Sequence, residues 1–240
     1  MPTDQTSSSI ILGIETATRA GSVALARDGE IIGTREGDPE GTASTQLLGQ
    51  IQELLAAAQL TLNELDRIAV AIGPGSFTGL RIGLATVKGL AATLGCAVDG
   101  VPTLHAVANS ANAMGQIMAL MPAGRGELFA QSFLAVPDRI AETGPPAHLP
   151  LSTLLANITG TSGWTWAGVS GPDTIREVQS FAAQQADWRI APAPVNLASN
   201  VILAAQGGEW ETTPAALTAM YVRLSDAELK LRCHPQDVNP

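Results

Sequence analysis

The sequence has few cysteines and no long hydrophobic run, and each shortage excludes a class of protein. Its two cysteines, Cys96 and Cys233, are too few for a disulfide framework and too widely spaced for a zinc knuckle. No apolar stretch approaches the ~20 residues that a membrane-spanning helix needs. Residues 1–9 are polar and lack the basic and apolar regions of a secretory signal. We therefore expect a cytoplasmic protein with reduced thiols and no membrane contact.

Positive charge and aromatic side chains are also scarce. The chain has 13 Lys and Arg residues against 22 Asp and Glu residues, which gives a net charge of −9, and its basic residues form no cluster. Aromatic residues make up only 4% of the chain, so we expect no platform for base stacking. Because nucleic acid is held mainly through its phosphates, direct binding by this chain alone is not expected.

The three histidines lie far apart in the sequence, at His105, His148 and His234. Two histidines on one helix turn are an economical way to bind a catalytic metal ion, and no such pair occurs here. We therefore predict no metal site and no catalytic histidine.

Apolar runs and turn residues predict the element order βββαβαβα over residues 10–114. Three meandering strands followed by alternating helices and strands indicate a mixed sheet covered by helices, as in ribonuclease H-like folds. Residues 115–225 give weaker signals, which we interpret as a degenerate second half, with tails at 1–9 and 226–240. Elements predicted in that half are strands at Ile117–Leu120, Glu127–Val136 and Trp164–Val169, and helices at Leu151–Ile158 and Asp173–Gln185.

The segment Gly73–Gly83 joins a buried strand to a long amphipathic helix. Ser76 is placed to cap that helix, and Gly79 and Gly83 lie on one helix face because they are four residues apart. The glycines have two interpretations. They could open a phosphate site at the helix N-terminus, although the spacing fits neither a dinucleotide fingerprint nor a Walker loop. We favour the structural interpretation, in which they shape the turn and leave a shallow groove for a partner helix.

Two amphipathic helices, at residues 44–58 and 77–94, are the candidate partner interface. Such apolar stripes belong more often to a core than to an interface, so both interpretations stay open at this point. The residues assigned to the interface are Leu47, Leu48, Ile51, Leu54, Gly79, Gly83 and Val87.

Several of these segments together resemble one family. They are Ile11 to Thr18, Gly21 to Leu25, Ser44-Thr45-Gln46, the Gly73–Gly83 segment and Tyr221-Val222-Arg223. This combination is similar to the TsaB family, formerly YeaZ. The resemblance implies an α/β fold of the actin-like ATPase-domain (ASKHA) type, with two ribonuclease H-like halves and mixed sheets.

The resemblance also implies a function. It indicates a non-catalytic subunit that supports the catalytic paralogue TsaD, together with the ATPase TsaE. Their product is threonylcarbamoyladenosine in the anticodon loop of tRNAs that read codons beginning with A. By this resemblance the chain forms a homodimer when alone and meets tRNA only through the complex.

The sequence departs from the family in two places. Ala43 and Ser44 occupy a region where bacterial relatives commonly have a histidine, and the loop from Pro122 to Glu127 has displaced acidic and basic groups. These differences put any role carried over to that loop in doubt.

Glu15, Thr16 and Thr18 are candidate nucleotide-binding residues, since actin-like kinases place an acidic residue and hydroxyls beside phosphate and Mg²⁺ at this position. The alternative, which we favour, is that these short polar side chains satisfy the backbone of a tight turn. We expect no tightly bound cofactor on the chain alone, with ATP and Mg²⁺ left open for the complex. Two rival functions remain at this point, a stand-alone ATP-dependent phosphotransferase and a glycoprotease-like metallopeptidase.

Overall fold

Strands and helices of the chain assemble into two sheets flanked by helices. The computed structural model describes residues 9–38, 40–41, 43–158, 163–168, 172–184, 187–194 and 196–222. In chain order the strands are β1 (Ile10–Glu15), β2 (Ser22–Arg27), β3 (Glu30–Glu36), β4 (Arg67–Gly73), β5 (Ala97–Pro102), β6 (Gly115–Gly124), β7 (Glu127–Val136), β8 (Arg139–Glu142), β9 (Ala147–Pro150), β10 (Trp164–Ala167), β11 (Arg189–Ile190) and β12 (Glu211–Thr212). The helices are α1 (Ala43–Ala57), α2 (Phe77–Leu94), α3 (Thr103–Ser110), α4 (Leu151–Ile158), α5 (Pro172–Ala182) and α6 (Leu197–Gln206), with a short 3-10 helix at Leu62–Glu64.

The first sheet has the strand order β12-β5-β4-β1-β2-β3. Strands β1, β2 and β3 form an antiparallel meander, and β1, β4 and β5 are parallel neighbours. Asp28 and Gly29 turn the chain between β2 and β3, both with positive φ, as an Asp-Gly hairpin turn requires. The predicted order βββαβαβα is confirmed, and the sheet is mixed as expected.

Helices cover both faces of the first sheet because its central strands are apolar on both sides. Leu12 and Ile14 of β1 pack in one core with the buried faces of α1 and α2. Ile11 belongs to a second core, which includes α3 and α6 on the opposite face. The α1–α2 pair and the α3–α6 pair therefore lie on opposite sides of the sheet.

The second sheet has the order β11-β10-β6-β7-β8, and β9 also pairs with β7, along the first residues of that strand, whereas β8 pairs along its last residues. The strands and helices predicted for this half are present, although β10 ends at Ala167 and α5 at Ala182. The short elements β8, β9, β11 and β12, and the whole of α6, were not predicted. Pro150 ends strand β9, a position at the sheet edge that tolerates the missing N–H of proline.

Helix α6 and strand β12 return to the first sheet after the second one has formed. Helix α6 packs on β1, β2 and β4, and β12 pairs with β5. The division into residues 10–114 and 115–225 stays a prediction, and both predicted tails lie mostly outside the described residues. None of the described helices is long and apolar enough to cross a membrane.

Candidate functional site

The turn after β1 is organised by Glu15, whose side chain is buried at 1% exposure. One carboxylate oxygen accepts a hydrogen bond from the Thr18 amide at 2.6 Å. The other accepts from the hydroxyls of Thr18 at 2.8 Å and Ser22 at 3.3 Å. Burial raises the pKa of Glu15, and these hydrogen bonds oppose that rise. The carboxyl group thus holds the turn together, which agrees with the interpretation that Glu15 and Thr18 satisfy the backbone of a tight turn. Nucleotide binding at these residues stays a prediction.

The Gly73–Gly83 segment packs against this same turn. The Ser76 amide donates to the Ala17 carbonyl at 2.7 Å, and the Ser76 hydroxyl accepts from the Gly79 amide at 3.2 Å. The predicted cap of α2 by Ser76 is therefore confirmed. Because the amide of Ser76 already has a partner within the chain, the geometry supports the structural interpretation of the Gly73–Gly83 segment over the phosphate site.

Gly79 and Gly83 face Thr16 rather than an open groove. A Cβ atom added at Gly79 would overlap the Thr16 carbonyl oxygen, and one added at Gly83 would overlap the Thr16 hydroxyl. The expectation of a free groove beside these glycines is corrected for this reason, since the chain itself fills the space. Both glycines are buried, and Thr16 is their neighbour.

The other predicted interface residues divide into a core group and one exposed side chain. Leu48 is 59% exposed on α1, and it is available to a partner. The remaining four are buried in the core beneath the two helices, so they support that surface from below: Leu47, Ile51, Leu54 and Val87. Their assignment to a partner contact stays a prediction.

The outer side of α1 and α2 combines small and apolar residues with polar and charged ones, among them Gln52, Glu53 and Arg81. We define the α1–α2 face by seven of its exposed residues, which are Leu48, Gly49, Gln52, Ala56, Ala85, Gly89 and Ala92. A Cβ atom added at Gly49 or at Gly89 would meet nothing within 4 Å. Glycine inside a helix costs about 1 kcal/mol relative to alanine. The packing of this chain therefore does not explain either glycine.

Sequence reasoning missed Gly49 and Gly89 as members of this face. A signal was present, because each is an isolated glycine in the interior of a helical pattern. The helical pattern alone did not show which glycines face the chain's own residues and which face outward.

The late Tyr221-Val222-Arg223 motif is brought to the start of α2. The Arg81 guanidinium lies 3.8 Å from the centre of the Phe77 ring, and its Nε donates to the Tyr221 hydroxyl at 3.3 Å. The Met220 amide donates to the Ile72 carbonyl at 2.7 Å, which ties this segment to β4. Arg223 lies outside the described residues.

The segment from Pro122 to Glu127 comprises the end of β6, a tight turn at Arg125 and Gly126, and the first residue of β7, with positive φ at Gly124, Arg125 and Gly126. Glu127 lies 3.0 Å from the Nε2 atom of His148 on β9. His105 lies on α3, far along the chain from this pair, while Cys233 and His234 lie outside the described residues. Within the described ranges, no group of three or more His, Cys, Asp or Glu side chains is placed to hold a metal ion.

Comparisons of this sequence with a family model and with individual proteins point to one family. The sequence model of the family described as TsaD, tRNA N6-adenosine threonylcarbamoyltransferase, matches residues 42–163, just over half of the chain. The tRNA threonylcarbamoyladenosine biosynthesis protein TsaB of Escherichia coli K12 is 36% identical over 122 residues, which are 50% of this chain and 52% of that protein. An uncharacterised Mycobacterium tuberculosis H37Rv protein is 28% identical over 222 residues, covering 92% of this chain and 94% of its own.

The chain belongs to the TsaB (YeaZ) family. The aligned region spans about half the length of the E. coli relative. Among solved structures, YeaZ from Pseudomonas aeruginosa superposes with a TM-score of 0.69 at 24% identity, over 89% of this chain and 99% of that one. The ethanolamine utilization protein EutJ from Carboxydothermus hydrogenoformans has a TM-score of 0.50 at 12% identity, over 81% of this chain and 89% of that one. The predicted actin-like ATPase-domain fold is thereby confirmed.

Proposed function

We propose that this TsaB-family chain is a non-catalytic subunit that supports TsaD in threonylcarbamoylation of adenosine in tRNA. The modified adenosine lies in the anticodon loop of tRNAs that read codons beginning with A. TsaE is the further protein partner, and tRNA is contacted through the complex. ATP and Mg²⁺ act in the assembled complex, and this chain alone holds neither tightly.

The α1–α2 face is the observation that carries this proposal. It combines one exposed leucine, Leu48, with small residues on two adjacent helices. A single exposed leucine is ordinary on a protein surface, so the assignment depends on the small residues around it. The open glycines Gly49 and Gly89 let a partner helix come close to the backbone, and such approach is the use that offsets their cost in helix stability.

The turn around Glu15 supports the non-catalytic part of the proposal. The Glu15 carboxylate accepts three hydrogen bonds from Thr18 and Ser22, so both of its oxygens are engaged within the chain. A phosphoryl-transfer site instead needs groups that face the substrate and a fixed positive charge near the γ-phosphate.

The mechanism in this proposal is a shift of population. A subunit that binds the competent arrangement of TsaD more tightly than the idle one raises the population of the competent arrangement. It can shift that equilibrium by no more than the difference between its two affinities. When TsaD is absent, the same α1–α2 face joins two copies of this chain in a homodimer.

The test is complex formation with TsaD from the same organism, measured by light scattering, followed by a threonylcarbamoylation assay with TsaE, ATP and tRNA. Two variants change the face without touching the core, Leu48→Asp and Gly89→Leu. The matched control is Leu134→Asp, which changes an exposed leucine on β7 of the second sheet.

We expect the wild type and Leu134→Asp to form the complex and to sustain modification. The two face variants should bind TsaD at least about tenfold more weakly, which corresponds to about 1.4 kcal/mol, and should be monomers when alone. Equal complex formation by all four proteins would overturn the assignment of the face. ATP turnover by the isolated chain, without a complex, would overturn the function itself.

A further inference from the structure

Arg81, an exposed residue of α2, has a guanidinium group whose orientation is restricted but whose charge is not paired. It lies 3.8 Å from the centre of the Phe77 ring, and its Nε donates to the Tyr221 hydroxyl at 3.3 Å. Tyr221 also packs on Phe77, with the ring centres 5.2 Å apart. Within the described part of the chain, the Nη1 and Nη2 atoms of Arg81 have no hydrogen-bond or ion-pair partner. Both atoms are therefore free to bind a group outside this chain.

The free end of a guanidinium group fits a carboxylate or a phosphate, because two parallel N–H groups can donate to two oxygens. An arm that is already held by an aromatic ring and a hydroxyl loses less freedom when it binds. Phosphate backbones are held by several cations together, whereas this chain has a net charge of −9 and no cluster of basic residues. A carboxylate of a protein partner is therefore the favoured ligand of Arg81.

Glu53 of α1 supplies the complementary charge on the same side of the molecule. It is exposed, and no contact within the described ranges pairs its carboxylate with a cation, Arg81 included. Glu53 lies four residues after Gly49, and Arg81 lies four residues before Ala85, so each charge extends from the α1–α2 face on its own helix. The face thus carries one unpaired charge of each sign.

Helices α1 and α2 pack side by side and run in the same direction. Strands β3, β4 and β5 are all parallel to β1. Helix α1 joins β3 to β4 and helix α2 joins β4 to β5, so both helices return against the strand direction. Arg81 is the fifth residue of α2, and Glu53 is the fifth residue from the end of α1. The two charges therefore lie toward opposite ends of the helix pair.

This placement makes the surface complementary to itself. A two-fold axis perpendicular to the face reverses the direction of the second copy's helices and lays its α1 against α2 of the first copy. The start of α2 then meets the end of α1 from the other copy, and symmetry repeats the contact. We propose that two copies of this chain associate through the α1–α2 face with Arg81 of each copy bound to Glu53 of the other.

The inference rests on the homodimer contact given under Proposed function and adds the residues that align it. The open glycines Gly49 and Gly89 let two copies approach, but small residues alone do not determine how the copies are aligned. Reciprocal pairs of opposite charges select one alignment, because they leave no like charges facing each other.

Charge reversal tests the ion pair in the intact chain, with the dissociation constant of the dimer measured by sedimentation equilibrium. Arg81→Glu brings two carboxylates together at each contact, and Glu53→Arg brings two guanidinium groups together. We expect each variant to raise the dissociation constant at least about tenfold. Arg139→Glu and Glu142→Arg make the same changes at exposed positions of β8 and should change it less than about threefold.

An equimolar mixture of Arg81→Glu and Glu53→Arg gives the sharpest readout. In a mixed dimer both contacts again join opposite charges, so the mixture should dimerise with nearly the wild-type constant although neither variant does so alone. The double variant should recover the dimer for the same reason. Misfolding of a single variant cannot produce such recovery.

The outcomes separate this proposal from the proposed function. If both reversals dimerise like the wild type while Leu48→Asp does not, the face stands and the ion pair is wrong. If Leu48→Asp dimerises as well, or if the wild type is a monomer, the homodimer contact of the α1–α2 face is wrong and the pair fails with it. Weakening that the mixture does not reverse would assign Arg81 or Glu53 to another contact and would also overturn the pair. Complex formation with TsaD is measured independently, so its result decides the proposed function alone.

Discussion

The side chain of Thr16 lies directly against the backbone of Gly83, so the turn after β1 and helix α2 meet with no room for a Cβ atom. The next residue, Ala17, accepts a hydrogen bond from the Ser76 amide at 2.7 Å at the start of the same helix. The turn after β1 and the Gly73–Gly83 segment therefore pack together as one unit. Helix α2 keeps its outer side for other contacts.

Gly83 and Gly89 should respond in opposite directions to the same substitution. Gly83→Ala places a methyl group onto the Thr16 hydroxyl, so we expect a loss of more than 1 kcal/mol in the free energy of unfolding. Gly89→Ala meets open space and improves helix propensity, so we expect a gain of up to about 1 kcal/mol. Urea unfolding of both variants, followed by circular dichroism, measures the difference.

Comparing Gly83→Ala with Gly89→Ala isolates the effect of the surroundings, because both residues lie in the interior of one helix. If Gly83→Ala were as stable as the wild type, the contact with Thr16 would not be as tight as described. Gly89→Ala adds one methyl group to the α1–α2 face, and a measurable loss of TsaD binding without a loss of stability would assign that glycine to the interface.

Glu15 should make the stability of the chain depend on pH. Its pKa is raised above the ordinary value of 4.5 by burial, so the folded state holds a proton that the unfolded state has already released. Its stabilising contribution is complete below pH 4.5 and is lost as pH rises through the raised pKa. Glu15→Gln, which does not titrate, should lack this loss.

The measurement is urea unfolding of the wild type and Glu15→Gln at a series of pH values upward from 4. Between pH 4.5 and the raised pKa of Glu15, the free energy of unfolding of the wild type should fall relative to that of Glu15→Gln by up to about 1.4 kcal/mol per pH unit. A constant difference across the series would show that Glu15 titrates alike in the folded and unfolded states.

Arg67 neutralises a carboxylate that is almost completely buried. Its Nη1 atom lies 2.7 Å from Asp99, which is 2% exposed, and its Nη2 atom lies 2.8 Å from Glu211, which is 67% exposed. Arg67→Ala leaves Asp99 buried without a cation and should cost about 1–3 kcal/mol at pH 7. Glu211→Gln removes only the exposed partner and should cost less than about 1 kcal/mol.

Acid conditions provide a second check on this pair. Burial raises the pKa of Asp99, and Arg67 opposes that rise, so the pKa rises further in Arg67→Ala. The deficit of the variant should shrink toward pH 4, where a protonated Asp99 no longer needs the cation. A deficit that is independent of pH would point to lost packing of the arginine stem instead.

Five of the six strands of the first sheet could be predicted from sequence because their signals are local, whereas β12 could not. Strands β1 to β5 are short apolar runs bounded by turn residues, and α1 and α2 have clear helical spacing. Ser76 was identified as a cap by the same local logic. The spacing of Gly79 and Gly83 correctly placed them on one face, but spacing does not reveal what covers that face, and Thr16 is distant in sequence.

The missed elements depend on contacts rather than on local pattern. Strand β9 is four residues long and ends in Pro150, so nothing short of its pairing with β7 defines it as a strand. Helix α6 follows the segment Ala191-Pro192-Ala193-Pro194, whose prolines are typical of a loop, and its place on the first sheet comes from tertiary packing. Sequence pattern likewise cannot show that Met114, Val136 and Leu203 line one hollow together with His105.

Asn196 joins α6 to the edge of the first sheet, and substitutions there should show how much that connection contributes. Its side-chain oxygen accepts from the Ser199 amide at 2.9 Å, which caps the helix. Its side-chain nitrogen donates to a Glu36 carboxylate oxygen at 2.6 Å and to the Arg35 carbonyl at 3.3 Å. Asn196→Ala should lower the free energy of unfolding by about 1–2 kcal/mol through the lost cap alone.

Asn196→Asp separates the cap from the link to β3. The new carboxylate can still accept from Ser199, but it faces Glu36, whose pKa burial already raises. Near pH 4 one of the two carboxyls holds a proton and can donate, so we expect a small deficit. As pH rises both ionise and repel each other, so the deficit should grow with pH in urea unfolding. An equal deficit at pH 4 and pH 7 would contradict this prediction, because it would mean that residue 196 and Glu36 do not interact strongly enough for their ionisation to change stability.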